Sequence, residues 1–307
     1  MGIGGWSMTG LIRYGVHACG LSMLLLVSVA AAPLPQAAEG CTEPRNSIRP
    51  LNAYSLRGES NFGALLAQEI ERSSKMVNDE EVTNYLNRLA AKLTKNSSVP
   101  FPVQVKVVDS EVANEVVLPG GFLYVNKGLI LQAEAELAGA LAYGLAHTSI
   151  RSGTQIMTRS SLFQSSFPIG HVTWVFQWIG SEALDPLEVG APFELLFLKR
   201  RFVVAADCLG LKYLESSGYD SDAIIRFLGR LSPKSVSRSN KPNLFSAFPP
   251  LSQRLDSLRQ AAARFPAPIN DVVVSSSEFD RVKERLPSLG TLRSKEPPPT
   301  LYRSLNH

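Results

Sequence analysis

Four histidines and three cysteines in 307 residues leave little material for a metal centre or a disulfide scaffold. Cys19 lies in the apolar N-terminal segment, so Cys41 and Cys208 are the pair to consider. They could bond, but nothing in their spacing demands it. A fold stapled by disulfides is excluded, and so is a zinc site built from cysteines. Charge is sparse as well, at 19% of residues with a formal net charge of +4. Arg13 is the one charged residue before Glu39, so loss of a leader takes +4 to +3, too little and too scattered for a nucleic-acid surface. The sequence has no phosphate-cradling glycine loop, no dinucleotide fingerprint and no G-x-S-x-G elbow. The apolar runs Leu21–Val29 and Phe167–Ile179 are both too short to span a bilayer.

What is present points to one globular domain. Hydrophobic residues make up 45% of a chain long enough for a sizeable core. Residues 1–38 read as a secretory signal peptide: Arg13 and His17 precede the apolar run, and Ala30-Ala31-Ala32 follows. Cleavage is expected near Ala37 or Ala38, because Pro33 disfavours cutting after Ala32; retention as an anchor is the alternative. Residues 39–59, with Pro44 and Pro50, read as a linker, and 60–287 as the folded domain. The polar segment 288–307, with Pro297-Pro298-Pro299, reads as a disordered tail.

Periodicity predicts helices from about Asn61, Asp79–Lys95, Ala133–Arg151, Phe197–Ser217, Asp222–Leu231 and Leu251–Phe265. Strands are predicted over Phe101–Val108 and Phe122–Val125, joined through a Leu118-Pro119-Gly120-Gly121 turn. The aromatic stretch 161–180 reads as core or lid, with membrane-surface contact as the alternative.

The helix over 133–151 carries Leu141-Ala142-Tyr143-Gly144-Leu145-Ala146-His147. A metalloprotease helix carries H-E-x-x-H, two histidines on one face gripping zinc with the glutamate as general base. On that pattern His147 is the second histidine, Tyr143 stands at the first and Gly144 at the base. Catalytic zinc needs three protein ligands and an open water position. A phenol with a pKa near 10 is a poor ligand, and glycine cannot accept a proton from bound water. A rebuilt site could combine His147 and His171 with a carboxylate such as Asp207, but the preferred reading makes His147 a hydrogen-bonded core residue. Cys208 beside Asp207 does not suggest a thiol nucleophile, since adjacent helix residues do not face each other.

Several segments in order carry a resemblance. They are Val107-Val108-Asp109-Ser110 through Asn114, Leu118–Asn126 with Gly128-Leu129, Glu134–Gly139, Ala206-Asp207 with Gly210-Leu211, Gly218-Tyr219-Asp220, and Phe245-Ser246-Ala247-Phe248-Pro249-Pro250 with Arg254. Over residues 60–285 the chain resembles the zinc metallopeptidases that include the CAAX prenyl endopeptidase, HtpX and periplasmic outer-membrane quality-control proteases. The resemblance implies a mainly helical, zincin-like α+β domain with a small sheet. It also implies a peptide lying along an edge strand, which the sequence places at Gly121, Phe122, Leu123, Tyr124 and Val125. The departures fall on the chemistry. The family's third ligand, a glutamate four residues before the aspartate of the Ala-Asp pair, corresponds to Val203. Its histidine over the active site corresponds to Phe248, and the alanine after its conserved-pattern asparagine to Glu115. Asp207, which in the family supports a ligand histidine, is retained.

The reading is therefore a secreted or periplasmic metallopeptidase-like protein with a degenerate metal site and no cofactor. It would be proteolytically inactive and would bind an extended peptide or an unfolded envelope protein. An active zinc endopeptidase with a non-standard metal site is the alternative, and an assembly partner acting through the 161–180 surface is a third.

Overall fold

A computed structural model describes residues 51–95, 97–164, 193–230, 248–265 and 275–289. The predicted signal segment, most of the predicted 39–59 linker, residues 165–180 of the aromatic stretch with His171, and residues from 290 lie outside the described residues.

The chain runs α1 (Leu56–Ser73), β1 (Met76–Val77), α2 (Glu80–Thr94), β2 (Gln104–Val108), β3 (Glu115–Leu118), β4 (Phe122–Asn126), the short α3 (Lys127–Ile130), α4 (Glu134–Ser149), α5 (Ser152–Gln164), α6 (Phe193–Ser216), α7 (Asp222–Arg230), α8 (Leu251–Ala262) and α9 (Ser277–Arg285). This is the expected mainly helical α+β fold. Local chemistry sets several boundaries. Ser55 accepts a hydrogen bond from the Gly58 amide and so starts α1 at Leu56, ahead of the expected onset near Asn61. Asp79 caps α2 through the Val82 amide, with Glu80 and Glu81 favourably placed in its first turn. Ser276 caps α9 in the same way, through the Phe279 amide.

The four strands lie in the order β1-β2-β4-β3. β4 is parallel to β2, with Val107 opposite Val125, and antiparallel to β3, with Val117 opposite Leu123. Alternation along the strands separates the two faces. Val116, Leu118, Phe122 and Tyr124 pack with Phe62, Leu66 and Ala67 of α1. Val105, Val107, Val117, Leu123 and Val125 join the larger core around α4. The turn before β4 requires glycine, because Gly120 has φ +79° and a Cβ there would sit 2.6 Å from the Ser60 Cα.

The topology corrects one expectation. Phe122–Val125 is not an edge strand: it pairs with β2 on one side and β3 on the other. Leu123 and Val125 are fully buried, and the Tyr124 hydroxyl donates to Glu71. Among the described strands the outer partner on this side is β3, a four-residue strand that sequence periodicity did not pick out.

Helix α4 is buried nearly all round. Leu137, Ala138, Leu141, Ala142, Leu145 and Ala146 have no accessible surface. A helix apolar on every side sits inside a core rather than on it. No described helix is long and apolar enough to cross a membrane.

Candidate functional site

The motif positions come together where α4 meets β3, α6 and the start of α8. Tyr143 and His147 are one turn apart on the half-buried face of α4. Their rings meet edge to face, 4.7 Å between centroids and 87° between planes. His147 Nδ1 is 3.0 Å from the Ser152 hydroxyl at the start of α5. Enclosure by protein pushes the imidazole pKa down to about 3, and the Arg254 and Lys199 cations push the same way. His147 is thus neutral at physiological pH.

Asp207 on α6 and Arg254 on α8 form a buried bidentate pair, with Nε–Oδ2 at 2.9 Å and Nη2–Oδ1 at 2.7 Å. Burial raises the Asp207 carboxyl, and Arg254 opposes that rise. The guanidinium carbon lies 5.5 Å from the centre of the Tyr143 ring, within cation–π range. Burial raises the Tyr143 phenol above its ordinary value, with Asp207 and Glu115 adding to the rise and Arg254 opposing it. Burial thus favours the neutral form of this phenol.

Val203, which the resemblance sets at the third-ligand position, is 1% exposed and contributes only a hydrocarbon surface. Phe248 lies under the Lys199 ammonium, 4.6 Å from its ring centre. Among the described residues no three His, Cys, Asp or Glu side chains cluster closely enough to hold a metal ion. Cys208 is disulfide-bonded, which removes it as a nucleophile; its partner cysteine lies outside the described residues.

Sequence reasoning noted Glu115 as a departure but assigned it no place. Glu115 and Val117 project from the same face of β3 toward Gly144. A Cβ at Gly144 would lie 2.8 Å from Val117 Cγ2 and 3.0 Å from Glu115 Oε2. Both Glu115 carboxyl oxygens are buried and have no hydrogen-bond partner among the described residues, and burial raises this carboxyl well above the usual range. Recognising residues 115–118 as a strand would have been the signal, because its period of two puts 115 and 117 on one side.

The profile of peptidase family M48 matches residues 79–262 of this chain. The chain belongs to peptidase family M48. Among its M48 relatives, the beta-barrel assembly-enhancing protease of Escherichia coli K12 is 24% identical over 281 residues, 85% of this chain and 56% of that protein. The protein of the same name from Yersinia pestis is 24% identical over 216 residues, 68% of this chain and 44% of its own length. The chain thus spans about half the length of the curated relatives it matches.

Proposed function

We propose that this M48 protein is a metal-free, proteolytically inactive relative that binds extended peptide in the cell envelope. The observation that carries the reading is the pair of side chains at the ligand positions. Tyr143 is packed against His147 and Arg254, and Val203 is buried hydrocarbon. Zinc does not fit this donor set. One neutral imidazole remains where three ligands are needed, and Gly144 offers no base.

In this reading the peptide would bind at β3 rather than β4, because β3 is the outer of the two among the described strands. An extended segment adding to the outer side of β3 would gain main-chain hydrogen bonds, with side-chain pockets setting selectivity. The relatives are named for enhancing β-barrel assembly. Unfolded barrel strands are extended segments of alternating polarity, which is the shape an edge strand accepts. An N-terminal signal segment, as read from the sequence, would deliver the chain to that compartment.

Two measurements on the purified protein test the reading. The metal content is expected to fall well short of one zinc per chain. Barrel-strand peptides are expected to slow amide exchange at Glu115–Leu118. Stoichiometric zinc that is lost with His147→Ala would favour the active-enzyme alternative. Peptides that leave those amides unchanged would remove the binding claim.

A further inference from the structure

The seam between β3 and α4 contains a feature that the loss of ligands does not explain. Glu115 reaches across it, and its carboxyl lies 3.0 Å from where a Cβ at Gly144 would stand, 29 residues later in the chain. A buried carboxyl without a hydrogen-bond partner is uncommon in a folded protein and unfavourable to keep. The position it occupies is specific. A side chain at 144 would leave the helix along the line that ends 3.0 Å from Oε2 and 3.3 Å from Oε1. In the H-E-x-x-H pattern residue 144 is the one that carries a carboxylate. Here a carboxyl stands in that space, but it arrives from the strand.

We propose that Glu115 and Gly144 are a reciprocal pair: a carboxyl reaching over from the strand occupies the space that a helix residue without a side chain leaves open, and together they set how β3 seats on α4. The inference rests on the metal-free reading of the centre and deepens it. The two arrangements compete for the same space. A glutamate at 144 would press its first carbon against the Glu115 carboxyl and put two acids into one apolar space, where both cannot ionise. A glutamate on the helix is accommodated more easily when position 115 is small. Glu115 acts here as a positioning residue for the strand, and Gly144 is the socket that admits it.

A double-mutant cycle tests the pair. Gly144→Ala and Gly144→Glu are each made in the native chain and in a Glu115→Ala background, and thermal unfolding is recorded. In the native background Gly144→Ala is expected to lower Tm by roughly 5 °C or more. With Glu115→Ala present the loss is expected to be measurably smaller, the closer Val117 contact at 2.8 Å accounting for the remainder. Gly144→Glu is expected to be worse than Gly144→Ala in the native chain, and rescued by Glu115→Ala. Additive losses for the alanine cycle would overturn the proposal, even if neither glutamate variant folds. Zinc bound to the native protein would defeat the metal-free reading and leave this coupling to stand or fall alone. Additive losses would defeat the coupling and leave the metal-free reading intact.

Discussion

Two side chains on either side of the α4 seam respond to pH in opposite directions. His147 takes up a proton near pH 6.5 in the unfolded chain but only at about 3 in the folded one. Between those values the unfolded state binds more protons, so this residue makes stability fall as pH falls. Glu115 loses its proton near 4.5 when unfolded and well above that when folded. Its contribution is full in acid and is lost as pH rises above 4.5. Glu115→Gln, which cannot ionise, is expected to gain Tm relative to the native chain as pH is raised above 4.5. A difference that does not change with pH in unfolding scans would mean the carboxyl is well solvated. His147→Gln is expected to flatten the loss of stability between pH 6.5 and 3. A third prediction concerns the buried pair. Asp207→Asn leaves the Arg254 charge without its counter-ion and is expected to cost about 3–5 kcal/mol in denaturant unfolding.

At the scale of elements, caps and turns hold the pieces around the site. Asp79 has two tasks: it accepts from the Val82 amide to start α2, and it accepts from Arg285 of α9 at 2.7 Å. Asp79→Ala removes both and is expected to cost roughly 1–2 kcal/mol, most of it from the cap. The half-exposed Arg285 contributes little by itself, so Arg285→Ala is expected to cost well under half as much in the same unfolding assay. The turn into β4 is less forgiving. Gly120→Ala would hold an L side chain at φ +79° and press it into the α1 backbone at Ser60. Loss of Tm there, with the α1 amides exchanging faster, would show that the turn anchors α1 over the outer face of the sheet.

Across the whole molecule, α4 is the axis of the core. It is enclosed by α2, α6, α7 and β3, and its Leu141 is completely buried. Leu141→Ala is expected to cost about 2–5 kcal/mol, and α4 amides to be among the slowest to exchange in the native protein. Much of this architecture was legible in the chain. The capping signals before α2, the Pro-Gly-Gly turn and the apolar run of α4 all act over a few residues, so sequence patterns report them directly. β3 escaped because Glu115-Val116-Val117-Leu118 is too short for period-two alternation to stand out, and its charged first residue hides it further. The strand order escaped because pairing depends on contacts between segments, which makes β4 interior although the resemblance implied an edge. The site divided in the same way. Tyr143, Gly144, His147 and Val203 are visible by position alone. The stacking of Arg254 on Tyr143, the Ser152 contact to His147 and the reach of Glu115 to Gly144 are not.

The sequence alone determined that the helix Glu134–Ser149 carries one histidine, His147, with a tyrosine at 143 and a glycine at 144, because composition and spacing are properties of the chain. Only the tertiary structure decided what surrounds those residues. It brought a carboxyl from a strand into the space beside Gly144 and a buried ion pair under the phenol. Close packing fills a space with whichever side chain can reach it, and reach is set by the fold.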